Sequence, residues 1–139
     1  MSHALPADPA VRSVFEAQPP AMRGALLTLR GHILAAAADS GRVGSLIETL
    51  KWGEPAYLPA RPRIGTTVRI NAVKGSAERY AIYVNCKTTL LESFRHLHPD
   101  EFKFEGSRAI LFRVGEAYPA DALRHCLTLA LTYHLKAAA

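Results

Sequence analysis

The chain has little cysteine, only one tryptophan and no long apolar run. The two cysteines, Cys86 and Cys126, lie far apart and show no CxxC spacing. A disulfide framework is not indicated, and we expect two buried free thiols, because a free cysteine behaves as a small hydrophobic residue. The longest purely apolar stretch, residues 33–38, is much shorter than the roughly 20 residues of a membrane-spanning helix.

Sequence motifs of the common enzyme classes are also missing. The chain has no GxGxxG, GxxxxGK[ST], GxSxG or HExxH pattern, so nothing local indicates a nucleotide-dependent enzyme, a serine hydrolase or a zinc protease. Distant residues could still form a catalytic group, but the sequence favours a protein without enzymatic activity. The first residues lack the basic start and apolar run of a secretory signal, so we expect a cytoplasmic protein without a membrane partner.

What is present is the composition of one globular domain. A length of 139 residues is close to the commonest domain size. With 49% hydrophobic and 21% charged residues, the chain resembles ordinary folded proteins. We expect an N-terminal tail and short helix over residues 1–18, beginning at Asp8-Pro9, and a single domain over residues 19–139.

Hydrophobic periodicity predicts helices and hairpins in separate blocks. Helical spacing indicates a long helix from Pro20 to about Ala38, another after Thr89, where Thr89 and Glu92 form a capping box, and a largely buried one from Pro119 onward. Strand alternation over residues 66–73, with a partner at 80–86, indicates one hairpin, and residues 102–104 and 108–114 indicate a second. We therefore predict an α+β fold, in which an antiparallel sheet of two hairpins is packed by helices mainly on one face.

Residues 45–52 are predicted to be a short third helix. Ser45 and Glu48 have capping-box spacing, with Glu48 as the cap partner, and Gly53 and Pro55 follow as helix breakers. Trp52 at the end of this helix is typical of a core anchor. Alternatively, it forms one wall of a pocket together with Tyr57, Tyr80 and Tyr83.

The run from Ile47 to Tyr57 contains the pattern E-x-x-K-W-G-x-P-x-Y. It resembles the signature of the YdhG-like proteins, a bacterial family of small domains of largely unknown function, and the resemblance extends from about Met22 to Leu135. The resemblance implies an α+β fold with an antiparallel sheet covered by helices on one face. Some members are labelled frataxin-like iron chaperones, which implies iron handling as an alternative function.

All of the net charge of +5 comes from one segment. Residues 61–87 contain six basic residues and one acidic residue, Glu78, whereas the charges of the flanking segments cancel. This basic hairpin could attract nucleic acid, phosphate or an acidic ligand, or it could be a solvated edge kept soluble by charge. The candidate ligand-binding residues are those of this hairpin and of the YdhG-like signature: Lys51, Trp52, Tyr57, Arg69, Arg79 and Tyr83.

One cluster has the side chains of a metal site. His96, His98, Asp100 and Glu101 offer two imidazoles and two carboxylates within six residues, donors that suit iron or zinc. The alternative is that both histidines end a helix, where a positive charge is favourable.

Taken together, these features predict a non-catalytic binding protein for a small anionic ligand, without a cofactor. An iron-handling protein and a nucleic-acid or protein interaction module that uses the basic hairpin are the alternatives.

Overall fold

A computed structural model describes residues 4–135, which form four α-helices and six β-strands. Residues 1–3 and 136–139, the ends of the two segments predicted above, lie outside the described part. The helices are α1 (Pro9–Glu16), α2 (Pro20–Ser40), α3 (Leu90–Leu97) and α4 (Ala120–Leu131). The strands are β1 (Leu46–Lys51), β2 (Glu54–Pro59), β3 (Val68–Ala72), β4 (Arg79–Tyr83), β5 (Lys103–Glu105) and β6 (Ala109–Arg113).

The strands form one antiparallel sheet in the order β1-β2-β3-β4-β6-β5. The fold is therefore α+β, as predicted, but the sheet contains three hairpins and not two. Cross-strand pairs place Tyr57 beside Val68, Ile70 beside Ile82, and Ile82 beside Ile110 on one face. These side chains are almost completely buried, and the helices pack on this face. We call the opposite face the open face.

The predicted helix over residues 45–52 is wrong, because this segment is β1 and the start of a hairpin. Lys51 pairs with Glu54, so Trp52 and Gly53 form a two-residue turn. Both turn residues have positive φ, +55° and +75°, as a type I′ turn requires. Trp52 is 91% exposed, and the prediction of a core anchor is therefore also wrong.

Glu48 is not a cap but one half of an ion pair between β1 and α2. Its carboxylate accepts two hydrogen bonds from the Arg30 guanidinium, at 2.5 Å from Nε and 3.1 Å from Nη2. Both side chains are about four-fifths buried. The hydrogen bonds to Glu48, together with its charge, outweigh the effect of burial and raise the pKa of Arg30. The buried negative charge of Glu48 is thus neutralised by Arg30, 18 residues away in the chain. A local capping pattern could not reveal this ion pair.

The N-terminal helix belongs to the same core as the sheet. The Asp8 side chain caps α1 by accepting hydrogen bonds from the backbone N–H groups of Ala10 and Val11, as the Asp-Pro start predicted. Val11 and Phe15 are buried. On α3, in contrast, the predicted capping box is wrong: the helix begins at Leu90, but the Thr89 side chain makes no capping hydrogen bond.

The closing helix α4 is buried, as predicted, and packs beside α2 and over β3. Its buried face includes Leu123, Leu127 and Leu131, each at most 2% exposed. The chain before β3 passes very close to the end of this helix, since a Cβ at Gly65 would lie only 2.0 Å from the Leu131 carbonyl oxygen. Thr66 N–H donates a hydrogen bond to the Ala130 carbonyl at 3.0 Å. None of the helices within residues 4–135 has the length and apolar character needed to cross a membrane.

Candidate binding groove

The open face carries a groove with a volume of about 710 Å³, inside the range of small-ligand sites. Cross-strand register explains its shape. Ala56 lies opposite Arg69, and Ala109 lies opposite Tyr83. Because the alanine side chains are short, the longer neighbours stand above them and bury them to 2% exposure or less. The groove is lined by Lys51, Trp52, Glu54, Thr66, Thr67, Arg69, Tyr83, Val84, Asn85, Cys86 and Arg108.

Arg69 is held in a fixed position inside the groove. Its guanidinium donates to the Glu54 carboxylate, and Asn71 Nδ2 donates to the other oxygen of that carboxylate at 3.2 Å. The Arg69 guanidinium carbon also lies 5.4 Å from the centre of the Tyr83 ring, within the range of a cation–π contact. Burial raises the pKa of Tyr83, so its hydroxyl is protonated at neutral pH. Arg69 is thus a preorganised donor whose charge is largely compensated by Glu54.

Two further cations at the groove are exposed and uncompensated. Within residues 4–135, neither Lys51 nor Arg108 takes part in an ion pair. Lys51 lies next to Trp52 on the open face, and Arg108 directly precedes β6. The groove therefore presents a net positive charge, and anions are the ligands that it attracts.

The predicted site residues do not all converge. Lys51, Trp52, Arg69 and Tyr83 line the groove together. Tyr57 and Tyr80, on the other hand, lie in the core, where they are 0% and 3% exposed, so their predicted place in the pocket wall is wrong. Burial is the main cause that raises the pKa of Tyr57, and the ring is inaccessible to a ligand.

Arg79 lies in a different groove at the other end of the sheet. It pairs across strands with Arg113 and shares this second groove, of about 530 Å³, with Phe102 and Tyr118. Three basic and three acidic residues surround this second groove, so it has no excess of positive charge: Arg79, Lys103, Arg113, Asp100, Glu101 and Glu116.

The four candidate metal ligands do not converge on one point. His98 Nδ1 lies 2.7 Å from Glu101 Oε2, and its Nε2 lies 2.9 Å from His125 Nδ1. His96 lies apart on the surface of α3, and Asp100 lines the second groove. Within residues 4–135, no three His, Cys, Asp or Glu side chains are arranged to hold a metal ion. His125, the contact that the sequence did not reveal, comes from α4.

The two thiols differ in environment. Cys126 is buried, as expected, and burial raises its pKa to about 12. Cys86 is exposed at the groove, so the prediction that both thiols are buried is wrong. Sequence reasoning also missed Arg108, Thr67 and Asn85. The last two could have been found from strand parity, since Thr67 is two residues from Arg69 and Asn85 is two residues from Tyr83.

Comparison with known proteins identifies no relative of this chain. No protein-family model matches the chain, and no curated protein and no solved structure shows significant similarity to it. The resemblance to the YdhG-like family therefore stays a prediction.

Proposed function

We propose that this chain is a non-catalytic binding protein and that a small anionic ligand binds in the open-face groove. The observation that carries the proposal is the meeting of three basic side chains at one concave surface. Arg69 is preorganised by Glu54 and Tyr83, while Lys51 and Arg108 are exposed. A fixed guanidinium can bind a carboxylate or phosphate with two parallel hydrogen bonds, and the two exposed cations add attraction at longer range.

Polar groups that carry no charge complete the site. Thr66, Thr67 and Asn85 line the groove and can orient a ligand through hydrogen bonds, as polar groups do in small-molecule sites. Asn85 Oδ1 already accepts a hydrogen bond from Lys87 N–H at 2.9 Å, so its amide NH₂ group can donate to a ligand. This arrangement favours binding through a few directed hydrogen bonds. As part of the same proposal, we place the domain in the cytoplasm, where small anionic metabolites are abundant.

A titration that reads the single tryptophan tests the proposal. Trp52 is the only tryptophan and lines the groove, so its fluorescence reports on this site alone. Phosphate, pyrophosphate and citrate serve as probes. We expect a saturable change for at least one of them, and slower alkylation of the exposed Cys86 at saturation.

Charge-matched variants show where the anion binds. Lys51→Gln and Arg108→Gln should each weaken binding about threefold to tenfold, as expected for the loss of one partly exposed charge contact. Lys74→Gln removes the same charge from the exposed β3–β4 turn, outside the groove, and should leave the affinity unchanged. Equal effects of all three variants would mean that only the overall charge matters, and the groove would not be the site.

The nucleic-acid alternative has less support from the geometry. Of the basic hairpin's residues, Arg61 donates to the Arg42 carbonyl, Arg69 is paired with Glu54, and Arg79 lies in the second groove. These three residues form no continuous basic surface along which a nucleic-acid strand could bind. Binding of a single strand would show a steep decrease of affinity with salt, whereas a small anion held by Arg69 would show a shallow one.

The iron-handling alternative can be tested separately. Iron handling needs several ligands close together. Of the four predicted ligands, the structure brings only His98 and Glu101 into contact, with His125 of α4 beside His98. Calorimetry with ferrous iron, repeated on His98→Ala, decides it: tight stoichiometric binding that this substitution abolishes would support iron handling.

A further inference from the structure

We infer that the ligand of the open-face groove is a nucleoside monophosphate, whose base stacks on Trp52 and whose phosphate lies between Arg69 and the exposed cations. This inference rests on the proposed function, since it names the class of anion that the same groove binds. Its starting point is the place of Trp52 in the β1–β2 turn.

Trp52 occupies a backbone position where a bulky side chain is unfavourable. Its φ of +55° lies in the left-handed region, which non-glycine residues other than Asn and Asp seldom adopt. The first position of a type I′ turn prefers Asn, Asp or Gly. With 91% of its surface exposed, the indole does little for the fold. A residue that strains the turn without stabilising the core is typical of a binding site.

An exposed indole at a cationic groove fits one ligand chemistry best. Trp52 lies next to Lys51 in the chain, and both line the groove. The flat indole can stack on a flat aromatic ring, and every nucleobase provides such a face. Beyond it, the fixed Arg69 provides the donors that a phosphate group requires. The groove therefore offers stacking and charge within one site.

The size of the groove also favours a ligand larger than a simple anion. Its volume of about 710 Å³ equals that of roughly 24 water molecules in the liquid, so inorganic phosphate would leave most of it filled with water. A nucleoside monophosphate adds a sugar and a base, whose polar edges can bond to Thr66, Thr67 and Asn85. A long single strand is disfavoured, because the basic residues form no track beyond the groove.

Calorimetry with matched probes tests this inference. The probes are the four ribonucleoside 5′-monophosphates, ribose 5-phosphate, which lacks only the base, and inorganic phosphate. Stacking of one base typically contributes a factor of roughly five to 150 in affinity. We expect at least one nucleotide to bind tighter than ribose 5-phosphate by about that factor, with quenching of Trp52 fluorescence.

Substitution of the indole identifies the stacking residue. In Trp52→Asn, the ratio between the affinities for the nucleotide and for ribose 5-phosphate should fall to about one, and Trp52→Phe should restore part of it. Leu97→Asn removes another exposed apolar side chain, 46% exposed on α3 and outside the groove, and should keep the ratio of the parent protein.

The outcomes separate this inference from the proposed function. Equal affinities for nucleotides and ribose 5-phosphate in the parent protein would overturn the inference and leave the anion site intact. A ratio that survives in Trp52→Asn would overturn the stacking. Absence of binding by every one of these probes, and also by pyrophosphate and citrate, would refute both. Binding of a 16-nucleotide single strand with a steep salt dependence, and of no mononucleotide, would show that the ligand is nucleic acid.

Discussion

Replacing Trp52 by asparagine should make the protein more stable, although it removes the largest side chain of the β1–β2 turn. Asparagine tolerates the left-handed backbone, and Asn-Gly is a preferred pair in type I′ turns. A bulky L-residue in this region costs roughly 1–2 kcal/mol. The substitution relieves most of this cost, because the turn has φ of +55° and +75° at its two central residues.

The opposing loss is small because the indole is hardly buried. With 91% exposure, the fold covers less than a tenth of a side chain that would bury about 250 Å² at most. At about 25 cal/mol per Å², the burial lost is worth roughly 0.5 kcal/mol. The net expectation is a gain of about 0.5–1.5 kcal/mol in the free energy of unfolding, or a few degrees in Tm.

Urea unfolding followed by far-ultraviolet circular dichroism measures this gain without the tryptophan signal. Gly53→Ala is the control for the turn geometry: a Cβ at Gly53 has no neighbour within 4 Å, but φ is +75°. Strain alone should therefore destabilise this variant by about 1 kcal/mol. A loss of 1 kcal/mol or more in Trp52→Asn would refute the reasoning, since the indole would then stabilise the fold and its exposure would carry no functional meaning.

Four further substitutions, one of them a control, test the core and its pH dependence. Gly65→Ala should destabilise the protein by about 1–3 kcal/mol in urea, because its Cβ would collide with a backbone carbonyl of α4, whereas Gly31→Ala, in open space on α2, should stabilise it by about 0.5–1 kcal/mol. Leu127→Ala should cost about 2–5 kcal/mol, and a loss below about 1 kcal/mol would make α4 peripheral. Burial lowers the pKa of His32 below its ordinary 6.5, so stability is complete above pH 6.5 and should fall as the pH decreases below that value. His32→Gln should reduce this fall, and an unchanged pH profile would contradict the assignment.

The strongly periodic elements of this fold could be predicted from the sequence. In β3, alternation placed Val68 and Ile70 in the core and Arg69 on the other face, and the structure agrees. The long helix α2 and the apolar helix α4 were also predicted correctly, since each buries a wide apolar face. In these elements, local pattern and tertiary packing favour the same structure.

Residues 45–59 could not be predicted in the same way because local and tertiary preferences disagree. Ser45 and Glu48 have helix-capping spacing, but Glu48 is satisfied by Arg30 on another element. Pro55 and Pro59 argue against a central strand. They are tolerated because β2 pairs with β3 only through Ala56 and Tyr57. Trp-Gly also lacks the usual signature of a two-residue hairpin turn, and its unusual first residue is what we connect to function.

The groove shows why an excess of charge in one segment of sequence is a weak guide to a binding surface. In an antiparallel sheet the chain reverses direction after every few residues, so the basic residues of segment 61–87 lie in different places. Arg61 donates to the Arg42 carbonyl, Arg69 forms an ion pair with Glu54, and Arg79 lines the second groove. The two uncompensated cations of the candidate site, Lys51 and Arg108, come from segments whose charges cancel. Cross-strand neighbours, and not neighbours along the chain, decide which charges meet. A variant that reverses the charge of Arg69 would place a second carboxylate beside Glu54 and disturb the sheet itself, so single neutralising substitutions at the exposed Lys51 and Arg108 provide the cleaner test of anion binding.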